Sequence, residues 1–265
     1  MPFVADVGAA TEQSVAYVGG LAQLFGKSLW LLFMSPLKRG RILQRGVHEA
    51  MVAGVGALPI ISLITFFVGV IIALQGAYEL QRLGAMQLVA SLVSISITRE
   101  LGPLVTAIVV IGRSGSAFAA EIGTMRVTEE LDALETMALD PVAFLVVPKF
   151  LAMAVMMPCL AIWADFMGVL GGSVFGVIGA NFTFGSYLIA TRDALLMRDV
   201  TTGVVKSLVF GLVITAVGCQ EGFSTGVGAE GVGHSTTSAV VISILLVILI
   251  DLVFTALFYA ARGVA

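Results

Sequence analysis

Two adjacent charges lie inside a long apolar stretch, and they have the clearest capacity for chemistry. Arg99 and Glu100 are the only charged residues between about Leu83 and Gly112, and Pro103 follows them. A charge at the centre of a membrane helix costs about 2.5–3.5 kcal/mol on insertion scales, so both side chains need a partner or water. Adjacent residues diverge on a helix, and Pro103 leaves the carbonyl of Arg99 without its usual helical donor.

Two more carboxylates lie in apolar stretches and are candidate partners. Asp251 is the one charge in the last apolar run, and pairing with Arg99 would lower the cost of burying both. Asp165 follows Trp163, whose type is common at the membrane interface, so we expect an interfacial position for it. Two interpretations of these charges stay open: a polar spot that lines a cavity or pathway, and a structural ion-pair network between helices.

A second group of charges occupies residues 121–140, called here the acidic segment, which has six acidic residues and one basic residue. Its candidate contact residues are Glu121, Arg126, Glu129, Glu130, Asp132 and Glu135. Apolar residues at helical spacing predict an amphipathic helix with Thr128 as a cap and its end at Asp140–Pro141. The residues alone favour equally a helix that docks on a partner and a solvated connecting helix.

Other reaction chemistries find little support in the sequence. Residues 20–28 resemble a phosphate-binding loop, but Leu21 stands where the first glycine belongs, so we expect no nucleotide site in this chain. Ser114 lies in a G-x-S-G match to intramembrane serine proteases, with His234 as the only plausible base, and the context of neither residue supports that chemistry. With only two cysteines, a disulfide framework and a Cys-rich metal site are excluded, and the two histidines lie far apart in the sequence, which disfavours a His-cluster metal site. We therefore predict no catalytic residue and no metal site.

The elements that must position these residues follow from the composition. Of the 265 residues, 58% are hydrophobic and only 12% are charged, and the mean hydropathy is +1.05. Soluble domains carry about 25% charged residues, so this chain cannot cover a soluble surface and is an integral membrane protein. The net charge of −3 gives no indication of nucleic-acid binding.

The apolar runs predict a single domain over residues 1–265 with five transmembrane helices, an all-α integral membrane protein. The spans are expected at about residues 50–78, 83–112, 144–182, 207–220 and 238–259. A kink is expected at Pro59. Residues 185–206 are expected as a mixed connecting segment, and residues 221–237 as a Gly-rich polar loop.

The N-terminal region has a different pattern from the spans. Residues 12–34 alternate apolar and polar patches, which predicts an amphipathic helix lying in the membrane interface. A basic cluster follows, made of Lys38, Arg39, Arg41 and Arg45. This cluster precedes the transmembrane bundle, expected at about residues 50–259. Basic residues before a first span predict that the N-terminal end of the chain is cytoplasmic. With five spans, the acidic segment is then expected on the cytoplasmic side too. The same topology places residues 185–206 on the outer side of the membrane, although their three basic residues favour the cytoplasmic side.

Small residues mark one helix face in the third span. Gly168, Gly172 and Gly176 are four residues apart, which is typical of close helix packing in membranes. The face belongs either to an interface inside the chain, the more common case, or to one between copies.

The stretch from Arg99 to Pro141, RELGPLVTAIVVIGRSGSAFAAEIGTMRVTEELDALETMALDP, closely resembles the signature of the MlaE family. Members of this family are the permease subunits of an ABC-type phospholipid transporter in the Gram-negative inner membrane. The resemblance extends more loosely from the N-terminal helix to residues 249–257, so it covers most of the chain.

The resemblance implies an assembly that composition cannot indicate. It implies a homodimer of this chain, an MlaF-type ATPase that binds ATP and Mg, an MlaB-type STAS protein and a periplasmic MlaD-type MCE hexamer. The chain itself would need no cofactor. The acidic segment would be the coupling helix that enters a groove of the ATPase, and the system would maintain outer-membrane lipid asymmetry.

The resemblance also implies a lipid cavity. Its residues would be Arg99, Glu100 and Asp251 together with Gln75, Tyr78, Leu80 and Leu83. Glu79 and Arg82 at its mouth would be either headgroup contacts or solvated. The competing interpretation is a secondary, ion-coupled transporter that uses Glu100 and Asp251 and needs no ATPase.

Overall fold

The computed structural model describes residues 2–34, 39–179 and 183–262, and within these ranges the secondary structure is helical, with no strand. The helices are α1 (Pro2–Met34), α2 (Arg39–Ala53), α3 (Leu58–Arg82), α4 (Val89–Ser96), α5 (Gly102–Val110), α6 (Ser116–Val127), α7 (Glu130–Thr136), α8 (Val147–Gly179), α9 (Phe184–Ala194), α10 (Met197–Phe223) and α11 (Gly228–Arg262).

Five helical stretches in the described ranges are long and apolar enough to cross a membrane. They are Leu43–Arg82, Met86–Val127, Val142–Gly179, Met197–Phe223 and Gly228–Ala260. The prediction of an all-α multi-pass membrane protein is therefore confirmed. One end of the bundle carries the acidic segment and is called the acidic-segment end. The other end carries residues 83–88 and is called the opposite end.

The first span is broken where the sequence predicts a kink. α2 ends at Ala53, a 3₁₀ turn occupies Val55–Ala57, and α3 begins at Leu58. Pro59 lies in the first turn of α3, where a missing N–H removes no helical hydrogen bond. It therefore begins a helix instead of bending one.

The fourth and fifth spans begin earlier than predicted. α10 begins at Met197 and α11 at Gly228, so only residues 224–227 connect them. The predictions of a connecting segment reaching residue 206 and of a polar loop at 221–237 were wrong. Asp199 and Lys206 do not mark a boundary of the span but lie inside α10, because each has an ion-pair partner in the bundle. Glycines did not prevent α11, which runs without a break from Gly228 to Arg262.

The second span is one continuous helical path with two local widenings. α4, α5 and α6 are joined by π turns at Ile97–Leu101 and Ile111–Gly115. In the first turn, the N–H of Gly102 donates to the carbonyl of Ile97, five residues back. Pro103 lies just beyond, where its ring cannot donate, so the disturbance predicted for this proline takes the form of a π turn.

The acidic segment is two helices and not the single helix predicted for residues 121–140. α6 ends at Val127, and Glu129 adopts a left-handed conformation with φ of 60° before α7 begins. The predicted cap role of Thr128 was wrong, because its hydroxyl donates back to the carbonyl of Thr124 at 3.0 Å. α7 ends at Thr136, before the predicted end at Asp140–Pro141.

Glycines bring α3 and α8 into direct backbone contact. A Cβ placed on Gly69 would lie 1.9 Å from the carbonyl oxygen of Gly168, and one on Gly171 would lie 2.0 Å from that of Phe66. Gly172 and Gly176 accommodate the ring of buried Tyr187 on α9. The small-residue face of the third span therefore packs inside the chain. Burial raises the pKa of Tyr187 to about 12.

α1 packs against the acidic-segment end of the bundle. Leu24 joins the apolar core there, and the ring of Phe25 meets that of Phe150 edge to face at 5.7 Å. Lys27 Nζ lies 2.9 Å from Asp140 Oδ2, which ties the helix to the acidic segment. Burial and the neighbouring Glu221 carboxylate raise the pKa of Tyr17.

The basic linker is only partly described. Lys38 and the side chains of Arg39 and Arg41 lie outside the described residues. Arg45 stacks over the ring of Phe144, with Cζ 3.5 Å from the ring centroid. The interfacial depth of α1 and the cytoplasmic location of the cluster stay predictions.

Candidate functional site

A buried lysine lies at the centre of the charged residues inside the bundle. Lys206 is fully buried, and its Nζ lies 2.5 Å from Glu100 Oε2 and 2.9 Å from Asp251 Oδ1. The same ammonium donates to Thr255 Oγ1 at 2.9 Å, and Thr255 donates to Glu100 Oε1 at 3.1 Å. These four residues are called here the Lys206 cluster. It brings Glu100 and Asp251 together, with a lysine between them that the sequence analysis assigned to a connecting segment.

Three elements of the bundle position the Lys206 cluster. Glu100 lies in the π turn of the second span, Lys206 on α10, and Asp251 and Thr255 are one turn apart on α11. Gly203 precedes Lys206 by about one turn and packs against the carbonyl of Thr98, 2.3 Å from a Cβ at that position. Glycine is required there because any side chain would force α10 away from the π turn.

Arg99 belongs to a neighbouring ion pair. Its Nε lies 3.6 Å from Asp199 Oδ1, and the Asp199 side chain is 4% exposed. Asp199 also accepts from the N–H of Leu196 at 3.3 Å, at the start of α10. The prediction that Arg99 pairs with Asp251 or Asp165 was wrong. Asp251 pairs with Lys206, and Arg99 pairs with Asp199.

The charges of the two groups nearly balance. Arg99 and Lys206 supply two positive charges, and Glu100, Asp199 and Asp251 supply three negative charges, which leaves a net charge of −1. The Glu100 side chain is 33% exposed, whereas that of Lys206 is 0% exposed. The site therefore presents carboxylate oxygens outward and keeps its ammonium inside. Such a polar spot in an apolar wall can accept hydrogen bonds from a ligand or hold a proton.

The residues predicted at the end of the first span lie on a separate groove. Gln75 and Tyr78 line it together with Leu74 and Glu79, and its volume is about 520 Å³. Arg99, Glu100 and Asp251 do not line this groove.

The remaining side chains near that groove differ in their surroundings. Arg82 stacks on the Tyr78 ring at 4.4 Å and donates to its hydroxyl at 2.5 Å. Leu80 packs on the apolar core at this end, and Leu83 is highly exposed beyond the end of α3. The two groups predicted for one lipid cavity thus occupy two places, and their lipid contacts stay a prediction.

Asp165 lies beside the π turn of the second span. A Cβ on Gly102 would lie 1.9 Å from Asp165 Oδ1, so glycine makes room for the carboxyl. That oxygen is buried, and no hydrogen bond to it occurs within the described residues. Trp163 Nε1 donates to Ser62 Oγ at 2.8 Å, which joins α8 to α3.

The acidic segment borders a second groove, of about 750 Å³, at the acidic-segment end. Its lining includes Glu129, Asp132 and Glu135, with Arg126 on the same groove. Arg126 donates to the carbonyl of Phe223, which anchors α6 to the end of α10. Glu130 instead accepts from Thr128 Oγ1 at 3.2 Å.

Glu121 is separated from the other acidic residues. Its Oε2 lies 2.8 Å from Nζ of Lys149, a buried lysine near the start of α8. The candidate coupling residues are therefore not one set: Arg126, Glu129, Asp132 and Glu135 line the groove, Glu130 does not, and Glu121 is exposed but pairs with the buried Lys149.

The alternative chemistries receive no geometric support. Ser114 Oγ donates to the carbonyl of Ala53 at 3.2 Å, and His234 Nδ1 lies 3.5 Å from Ser238 Oγ on its own helix. No group of histidine, cysteine or acidic side chains that could hold a metal ion occurs among the residues described.

Sequence reasoning missed Lys206, Asp199 and Lys149 as site residues. A usable signal was present for the first two, because Asp199 and Lys206 are seven residues apart and lie on one helix face, with Gly203 between them. Asp251 and Thr255, four residues apart, likewise lie on one face of their helix.

Five apolar spans that enclose paired charges define a multi-pass membrane protein. A family model described as Permease MlaE matches residues 47–257, and the chain belongs to this family.

Curated relatives are similar over most of their length. A probable ABC transporter permease protein of Rickettsia prowazekii is 39% identical over 91% of this chain and 92% of its own. The intermembrane phospholipid transport system permease protein MlaE of Haemophilus influenzae is 36% identical over 81% of this chain and 83% of its own. The chloroplastic protein trigalactosyldiacylglycerol 1 of Arabidopsis thaliana is 32% identical over 89% of this chain and 71% of its own. The chain is thus a permease of the ABC transporter type.

Proposed function

We propose that this permease moves phospholipids between the bacterial inner membrane and a periplasmic MCE protein, and so maintains outer-membrane lipid asymmetry. The name of the Haemophilus relative supports phospholipid as the substrate class. The chain would be non-enzymatic, with ATP and Mg bound by a separate ATPase subunit.

The observation that carries the proposal is the Lys206 cluster. Lys206 lies nine residues into α10, which is about 14 Å along the helix axis from Met197. Partly exposed carboxylates at this depth suit a ligand with both apolar chains and a polar headgroup. The groove at Gln75 and Tyr78 offers apolar and polar walls of the same kind.

The proposed partners occupy different ends of the bundle. The groove of the acidic segment would receive the MlaF-type ATPase, with the MlaB-type STAS protein bound to that subunit, and the opposite end would face the MlaD-type MCE hexamer. A second copy of the chain would cover part of α11. Only 11% of the most apolar stretch of this helix is buried within the chain, against 61% of the corresponding stretch of the third span. Nucleotide would do work by binding two states of the complex with different affinity.

The test is a tagged purification in mild detergent, with mass spectrometry of bound proteins and extracted lipids. The recovered complex is then placed in vesicles with labelled phospholipid, with ATP, without ATP and with a non-hydrolysable analogue. We expect an ATPase subunit, an MCE protein and phospholipid to copurify, and lipid transfer to require hydrolysis.

The second candidate is a secondary transporter, which the convergence of Glu100 and Asp251 on one lysine favours. It predicts recovery of the chain without an ATPase in two detergents, and transport driven by a proton gradient without ATP. That result would replace the proposed function.

Charge reversal on the groove tests the coupling role of the acidic segment. We expect Asp132→Lys with Glu135→Lys to weaken retention of the ATPase subunit, since both side chains line the groove. Two exposed ion pairs of about 0.5–1 kcal/mol each would become repulsions. The expected loss in affinity is at least about ten-fold.

Retention is measured by titrating the ATPase subunit onto immobilised permease. The control carries the same charge change at exposed positions away from the groove, Glu12→Lys with Asp193→Lys. Equal affinity of both variants and the wild type would show that the segment is a solvated connector.

A further inference from the structure

A second fully buried lysine lies at the acidic-segment end, and the proposed function leaves it unexplained. Lys149 Nζ lies 2.8 Å from Glu49 Oε1 and 2.8 Å from Glu121 Oε2. The ring of Phe118 lies on another side of the ammonium, with its centroid at 4.9 Å. The three N–H groups of the ammonium thus face two carboxylates and an aromatic ring. Lys149, Glu49 and Glu121 are called here the Lys149 cluster.

The Lys149 cluster joins three elements that meet only at this end. Glu49 belongs to α2, Glu121 to α6, which leads into the acidic segment, and Lys149 to α8, which follows that segment. The chain leaves the bundle through α6 and returns through α8. A single ammonium therefore holds the two ends of the acidic segment together and ties both to the first helix of the bundle.

The space beside this cluster is incompletely filled. A cavity of about 260 Å³ lies between α2 and α6. It is lined by Glu49, Val52, Ala53, Arg113, Ser114, Ala117, Phe118 and Glu121. Close packing therefore contributes less to the relative position of these helices than it does where α3 meets α8. A shift of α6 against α2 would break few dispersion contacts, so polar contacts restrain it: the charged tie, and the hydrogen bonds from Arg113 and Ser114 to the carbonyl of Ala53.

We propose that Lys149 is the positioning residue of the acidic segment, and that it transmits a displacement of this segment to α2 and α8. The proposal rests on the proposed function, in which an ATPase moves the segment. It adds the residue through which that motion reaches the bundle, a role distinct from contact with the ATPase or with lipid.

A purely structural role makes a different prediction. If Lys149 only neutralised two carboxylates, a variant in which Lys149, Glu49 and Glu121 are all replaced by uncharged residues would behave like the wild type. If Lys149 positions the segment, the variant Lys149→Met with Glu49→Gln and Glu121→Gln folds but stays uncoupled. This triple variant also keeps the test usable if Lys149→Met alone fails to fold.

The first measurement uses the chain without partners. Spin labels are placed at Val47→Cys on α2 and Thr124→Cys on α6, both exposed, after the exposed Cys159 is changed to Ala. Pulsed electron resonance then gives the distance distribution between the labels. We expect one narrow distribution in the wild type and a broad one in the triple variant.

The matched control is Lys206→Met with Glu100→Gln and Asp251→Asn, which removes the other fully buried lysine and the two carboxylates that it bridges. It lies toward the opposite end, so we expect it to leave the label distribution narrow. An equally broad distribution in this control would overturn the proposal, because general loosening of the bundle would then explain the effect.

The second measurement uses the complex in vesicles and divides phospholipid transferred by ATP hydrolysed. We expect this ratio to fall about ten-fold in the triple variant, within the range of coupling between distant sites. A triple variant with the wild-type distance distribution and ratio would overturn the proposal. If wild-type transfer did not need ATP, the proposed function would fail, while the distance measurement would still decide whether Lys149 positions the segment.

Discussion

We expect Lys206→Met to reduce ATP-dependent phospholipid transfer to background. The change removes the ammonium that lies within 2.9 Å of both Glu100 and Asp251, and two carboxylates are left together in an apolar environment. Removing one partner of a buried ion pair costs about 3–5 kcal/mol, because the other charge stays uncompensated. Methionine keeps the length of the side chain, so loss of the charge is the main change. Transfer is measured in vesicles that contain the complete complex.

A charge-free variant separates stability from transport. Lys206→Met with Glu100→Gln and Asp251→Asn removes the unpaired charges, so we expect its thermal midpoint in detergent to return toward the wild-type value. Transfer stays low if the cluster contacts the lipid headgroup, and it recovers if the cluster only stabilises the bundle. Normal transfer by Lys206→Met itself would contradict both roles.

The second large effect is expected at the contact between α3 and α8. A Cβ on Gly69 would lie 1.9 Å from the carbonyl oxygen of Gly168, and backbone cannot move aside as a flexible side chain does. We expect Gly69→Ala to lower the free energy of unfolding by at least about 1–3 kcal/mol, the usual range for overpacking. The measurement is the thermal unfolding midpoint in detergent.

Gly233→Ala is the matched control, because it adds the same methyl group to a span helix at a position with no atom within 4 Å. Alanine is favoured over glycine inside a helix by about 1 kcal/mol, so this variant should melt at or above the wild-type temperature. An equal midpoint for both variants would mean that α3 and α8 separate easily. A rigid α3–α8 pair would leave the cavity between α2 and α6 as a place where the bundle can change shape.

The limits of sequence reasoning are clearest at the charged residues. Arg99, Glu100 and Asp251 were identified because each interrupts an apolar run, and a charge in such a run is costly. Lys206 and Asp199 were placed in a connecting segment for the same reason, although both lie inside α10. Paired charges do not end a helix, but the pairing joins residues 45 to 106 positions apart. Local patterns cannot show it.

Backbone details of the acidic segment show a similar limit. Its helical periodicity was recognised, yet the break at Glu129 was not, because a left-handed conformation at a non-glycine residue has no strong sequence signal. The segment on either side of this residue is anchored by Arg126 on the carbonyl of Phe223 and by Lys27 on Asp140. These contacts come from α10 and α1, which are distant in the sequence.

The sequence by itself determined that the chain is an all-α membrane protein with five spans, and that its family is MlaE. Apolar composition and run length depend on local chemistry, which a single sequence displays completely. The tertiary structure alone decided that two buried lysines, one toward each end of the bundle, bridge carboxylates from different helices. It also decided that the small-residue face joins α8 to α3 and α9 within one chain. The physical reason is that ion pairing and close backbone packing depend on which helices become neighbours, and the whole bundle sets that arrangement.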